Sequence, residues 1–197
     1  MQNRSRVFRF ISMAMLSAIA YLLMMLNFPL PGFPPYLKID FSEIPVLVGG
    51  ILFGPVAAII IEAVKNFLDY AIQGSFTGVP IGQSANFLAG MLFVLPAVIM
   101  ARRIHSKKGL IGGLVSGVVL MAVMMSVLNF IIILPMYMWF LHFPHMTSGA
   151  MLKLVTAFIL PFNLIKGGAA AVIFLVLYPK LQPIFNRFAP KKQFDAA

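Results

Sequence analysis

The sequence contains no cysteine and only five acidic residues among its 197. Without cysteine there is no disulfide, no thiolate metal site and no cysteine nucleophile. Charged residues of both signs make up only 10% of the chain, where a soluble domain carries roughly a quarter. No GxSxG, HExxH or Walker A pattern is present. His105, His142 and His145 lack helical metal spacing, and the last two bracket Pro144. Catalysis has little to stand on.

What fills the chain instead is apolar. Hydrophobic residues reach 61% and the mean hydropathy is +0.97. Apolar runs recur at bilayer-spanning length, so lipid is the solvent for most of the sequence. We read residues 1–197 as a single all-α membrane domain with no room for a second, soluble one.

The formal net charge of +10 raises nucleic acid as a partner, but the positions of the charges argue otherwise. Basic residues gather in three short segments: Arg4, Arg6 and Arg9; Arg102, Arg103, Lys107 and Lys108; and Lys180, Arg187, Lys191 and Lys192. Each flanks an apolar run, as the positive-inside rule expects of cytoplasmic loops. A basic face with polar or aromatic readers is not visible.

Six helices are expected, over residues 10–28, 43–53, 55–72, 85–101, 110–134 and 151–178. The first follows a basic stretch like a signal peptide, but its apolar part is long and no small-residue cleavage site follows it, so it reads as a retained helix. Pro29, Pro31, Pro34 and Pro35 end it and stiffen a lid-like loop over residues 29–42. Ser42 is the expected N-cap of the second helix, which at about 16 Å is half a bilayer. It is either tilted into the protein or re-entrant. Gly54-Pro55 turns into the third, Ser84 caps the fourth, Pro135 stops the fifth, and Pro179 ends the sixth. With both termini cytoplasmic, all three basic clusters lie inside, and the outer loops keep one basic residue in the lid, Lys38.

A few polar residues interrupt these helices. Glu62, Lys65 and Asp69 stand at i,i+3 and i,i+4 spacing and can pair along one face, either to fix helix packing or to serve a function. Asn163 and Lys166, in "LPFNLIKGG", share a face in mid-membrane behind Pro161, and Asn129 stands among apolar residues of the fifth helix. Two amides and an ammonium around one cavity suit a flat heterocycle with carbonyl and imide edges. The alternative is that Lys166 pairs with Glu62 or Asp69 as structural glue. Phe33, Tyr36, Phe41 and Trp139 could stack on a planar ligand or anchor at the membrane interface. Ala14 and Ala18 have the small-xxx-small spacing that lets another helix approach closely, within this chain or from a partner.

These residues resemble a family, the substrate-binding S-components of energy-coupling factor (ECF) vitamin transporters, most closely the riboflavin-specific branch. The resemblance covers nearly the whole chain. It rests on the six-helix layout, the Ala14/Ala18 pair, "YLKIDFSEIP" followed by "GGILFGP", "EAVKNFLDY", "NFLAG" at residues 86–90, and "PFNLIKGG". It implies a multi-pass protein of a prokaryotic plasma membrane that captures riboflavin at the outer face, under the lid, between helices 4, 5 and 6. Asn129, Asn163 and Lys166 would contact the ring, with Tyr36, Leu37, Lys38 and Asn86 completing the site and the ribityl chain toward the lid. Ala14 and Ala18 would dock on a transmembrane coupling subunit joined to two ATPases. Riboflavin is then the transported substrate and no cofactor is implied. The rival readings are an S-component for thiamine, pantothenate or a biotin-like acid, a small membrane enzyme, and a structural or channel subunit.

Overall fold

The computed structural model describes residues 2–104 and 106–188; His105, Lys191 and Lys192 lie outside this range. Apart from one two-residue strand pair, the regular structure is helical. Helix α1 (Gln2–Met25) leads into a short hairpin whose strands β1 (Phe28–Pro29) and β2 (Lys38–Ile39) pair antiparallel, Phe28 opposite Ile39. Then come α2 (Glu43–Phe53), α3 (Pro55–Gln73), α4 (Ile81–Ile104) and α5 (Lys107–Leu128). A π turn (Asn129–Ile133) joins α5 to α6 (Leu134–Phe140), and a second (Val155–Ile159) joins α7 (Ser148–Leu154) to α8 (Leu160–Phe188).

The short helix α2 is the hub of the bundle, packed against α1, α3, α4 and α8. Val46, Leu47 and Ile51 are fully enclosed. A helix surrounded in this way can be apolar on every face without meeting water. Around it, the backbones of α4 and α5 approach each other at Gly113 and Gly117, which have no side chain to hold them apart. A Cβ at Gly117 would sit 2.2 Å from the Phe93 carbonyl oxygen.

Among the described residues, four helical stretches are long and apolar enough to cross a bilayer: Arg6–Met25, Ile81–Ile104, Lys107–Phe140 and Ser148–Phe185. The third and fourth correct two expected boundaries. Pro135 and Pro179 do not end their helices, which run on through them. Ahead of Pro135, and likewise of Pro161, the chain widens into a π turn: Leu134 N–H reaches back to the Asn129 carbonyl and Leu160 N–H to that of Val155. A π turn accommodates one extra residue, so the helix absorbs the proline instead of breaking. Ser84 is not a cap, because α4 already begins at Ile81; the Pro80 carbonyl accepts the Ser84 N–H at 2.9 Å.

One end of the molecule is basic. Arg9 donates to the Phe53 carbonyl at 3.1 Å and Arg102 to that of Ile51 at 2.8 Å, so both guanidiniums sit on the C-terminal carbonyls of α2. Phe8 stacks on Phe188 with ring centroids 5.2 Å apart. The ends of α1, α2, α4 and α8 therefore meet there.

Candidate functional site

A cavity of about 490 Å³ opens among the end of α1, the hairpin segment, α3, α4, α5, α6 and α8. Its size is that of a small-molecule site. Asn129, Asn163, Lys166, Tyr36, Leu37, Lys38 and Asn86 all line it, so residues from four separate stretches of sequence converge on one space. Of the four aromatic residues expected near a ligand, Tyr36 alone lines the wall. Phe33 packs on Phe158 and Phe162, Phe41 on Phe28, and Trp139 is 71% exposed beside Phe140. Three aromatic residues that the sequence pattern does not single out also line it: Phe162, and the pair Phe76 and Tyr137, stacked at 5.7 Å and 7°.

Each π turn is bordered by one site amide. Asn129 opens the first and donates its amide N–H to the Met125 carbonyl at 2.7 Å. Asn163, four residues past the end of the second, donates to the Ile159 carbonyl at 2.8 Å. Each amide thus spends one N–H on its own helix, keeping its carbonyl oxygen and a second N–H. π turns recur where helices build sites.

Lys166 is buried and pairs with Asp40, 3.0 Å from Oδ2, and more loosely with Glu43 at 3.6 Å. The expected partners were Glu62 or Asp69; the sequence offered no helical spacing that could reveal Asp40, 126 residues away. Lys65 sits on Glu62 at 2.7 Å, as the i,i+3 spacing suggested, and also donates to the Ser42 hydroxyl at 2.7 Å and Glu43 at 3.4 Å. The expected Lys65–Asp69 pair does not form. Asp69 instead accepts from Gln73 at 2.7 Å and Gln83 at 2.9 Å. Ser42 occupies the N-cap position of α2 without capping it. Its hydroxyl donates to Asp40 Oδ1, which also accepts the Ser42 N–H at 2.9 Å.

Asp40 lies in the segment entering α2. Burial alone would raise its pKa, but the Lys166 and Lys65 ammoniums and the two Ser42 hydrogen bonds outweigh it and hold the carboxyl low, at about 2. Burial raises the Tyr36 hydroxyl above its ordinary value, so it stays neutral.

Ala14 and Ala18 are exposed, while Ser17 and Ala20 on the same helix are buried. The alanine pair therefore faces outward from the bundle and is not an internal helix contact.

Fold and cavity together define a membrane-embedded binder of a small molecule. Residues 8–178 match the family "ECF transporter, substrate-specific component", and the chain belongs to that family. It is 49% identical to the "Riboflavin transporter FmnP" of Bacillus subtilis (strain 168), covering 90% of this chain and 94% of that protein. It is 40% identical to the "Riboflavin transporter RibU" of Staphylococcus aureus (strain TCH60), covering 91% and 93%. A solved structure of the S component of a bacterial ECF transporter superposes with a TM-score of 0.77 at 39% identity, over 94% of this chain and 99% of that one. The chain is thus a bacterial membrane protein, the substrate-binding component of a transporter and not an enzyme.

Proposed function

We propose that this chain is the riboflavin-binding subunit of an ECF-type ATP-driven uptake transporter. The observation that carries the proposal is the convergence of Asn129, Asn163 and Lys166 on one cavity walled by apolar and aromatic side chains. The imide edge of an isoalloxazine ring reads carbonyl, N–H, carbonyl. Lys166 and an asparagine N–H can donate to the two carbonyls, and an asparagine oxygen can accept the N–H between them. The ring would lie among α4, α5 and α8, with Tyr36, Leu37, Lys38 and Asn86 around it.

Charge balance favours a neutral ligand over a carboxylate vitamin. Lys166 is already compensated by Asp40 and Glu43, so a ligand carboxylate would have to displace a buried partner. The names borne by the two relatives point the same way. The visible spectrum of the detergent-purified protein tests the reading: a co-purifying flavin, or tight stoichiometric binding on addition, supports it. A colourless protein indifferent to excess riboflavin sinks it.

As a single membrane domain the chain would cross the bilayer six times, with α2 and α3 as the second and third crossings and both termini cytoplasmic. The basic end carrying Arg9 and Arg102 would then face inward and the lid outward. Ala14 and Ala18 would dock on the transmembrane coupling subunit that links the protein to two ATPases. Because the chain has no cysteine, single cysteines at Lys38 and Lys108 can be labelled cleanly. An impermeant maleimide should reach the first and not the second in intact cells; the reverse pattern contradicts the orientation.

A further inference from the structure

A groove on the outer side of the α4–α5 pair shares no residue with the ligand cavity. Its volume is about 330 Å³ and every side chain lining it is apolar. Leu92, Leu95 and Ile99 on α4 form one wall, and Leu120, Met124 and Leu128 on α5 the other. Ile99, Leu120 and Met124 are exposed, so the groove opens away from the bundle.

Along α4 the groove runs from Leu88 to Met100, about 18 Å at the helical rise per residue. One leaflet supplies half of a hydrocarbon core of roughly 30 Å. The groove is therefore as deep as one extended acyl chain, and too short to seat a helix that crosses the whole bilayer.

Met100 bridges the two helices at one end of the groove. Its methyl lies 3.3 Å from where a Cβ on Gly112 would stand, and its sulfur accepts from the Ser116 hydroxyl at 3.5 Å. Beyond this point the surface turns basic. Arg103 stands one turn past Met100 on α4, and Lys108 one turn before Gly112 on α5, with Lys107 beside it. All three are exposed, and among the described residues none is in an ion pair. Neither helix carries an acidic residue. Arg102, by contrast, is committed to the Ile51 carbonyl.

An apolar slot one leaflet deep, with unpaired cations at one end, is complementary to an amphiphile with an anionic head. Basic sites between transmembrane helices take acidic headgroups for this reason. We propose that the groove holds one acyl chain of an anionic phospholipid, with the lipid phosphate bound by Arg103 and Lys108. A neutral lipid or a partner helix would leave those charges unanswered. The proposal is independent of the ligand in the large cavity.

The test uses the full chain in phosphatidylcholine vesicles and a local fluorophore. The only tryptophan, Trp139, is exposed on α6, and Trp139→Phe removes its signal. In that background Ile99→Trp and Met124→Trp report from opposite walls of the groove, so one suffices if the other does not fold. Val172→Trp, exposed on α8, reports on bulk lipid. Phosphatidylglycerol with brominated chains should half-quench the groove fluorophores at a mole fraction about fivefold below that of brominated phosphatidylcholine. That is the factor contributed by about one basic side chain beside a charged headgroup. Val172→Trp should show no preference, and Arg103→Gln with Lys108→Gln should erase the preference in the groove. Equal quenching by the two lipids in the groove, the same preference at Val172→Trp, or a preference that survives loss of both cations overturns the proposal. Groove fluorophores that neither lipid quenches mean that a second copy or another protein fills the groove, which overturns it as well.

Discussion

The Lys166 ammonium lies 3.0 Å from Asp40 Oδ2, joining the middle of α8 to the segment that enters α2. Both residues line the cavity. An ammonium has three N–H donors; one goes to Asp40 and Glu43 lies further off at 3.6 Å, so donors remain that could serve a ligand. In the proposed site, ligand contact and loop anchoring would share one nitrogen.

Lys166→Met should lower both riboflavin affinity and thermal stability. Removing one partner of a buried pair costs about 3–5 kcal/mol, because the other charge is stranded. The double variant Asp40→Asn with Lys166→Met should recover part of the stability, since neither charge is left alone, yet remain defective in binding. Thermal unfolding and flavin titration on the same samples separate the two effects. A double variant that unfolds as the sum of its singles would show that the pair is not coupled.

Asn129→Ala and Asn163→Ala each remove one hydrogen-bonding group from the proposed ring edge. Each should weaken riboflavin about two- to tenfold, the range of a net hydrogen bond. Equilibrium titration of flavin fluorescence measures it. Unchanged affinity in both would move the ring elsewhere in the cavity.

The reach of sequence reading was uneven here, for physical reasons. Apolar runs and basic flanks are local signals, so helices and the basic end were visible. Asn129, Asn163 and Lys166 stood out because polar groups are costly in an apolar helix. Asp40 did not, since a carboxylate in a loop carries no such penalty in the sequence, and only the fold brings it to Lys166. Gln83 was hidden in a polar, glycine-rich stretch that read as a loop. Pro135 and Pro161 misled or underinformed in the same way: a proline announces a lost hydrogen bond but not the π turn that absorbs it.

Gly90→Ala should destabilise the bundle. A Cβ at Gly90 would lie 2.4 Å from Glu62 Oε1, and Glu62 cannot retreat without loosening its 2.7 Å contact with Lys65. Overpacking of this kind costs about 1–3 kcal/mol. A lowered unfolding temperature in detergent is the expected result; an unchanged one would show that α3 and α4 separate freely at this point.

Ala14→Trp and Ala18→Trp test the exposed face of α1. Both positions are open in the isolated bundle, so purified variants should fold and bind flavin like the parent chain. Vitamin uptake by cells should fall sharply, because a bulky side chain blocks close helix approach in the membrane. Normal uptake with either variant would remove this face from the docking surface.

The most direct test of the central claim, a neutral flavin held by α5 and α8, is a riboflavin titration of the parent chain beside the Asn129→Ala, Lys166→Met double variant. The parent should quench flavin fluorescence stoichiometrically, with a nanomolar-range dissociation constant. The double variant should bind at least about a hundredfold more weakly, as expected for losing a neutral and a charged hydrogen bond together. Nanomolar binding retained by the double variant would contradict the assigned site.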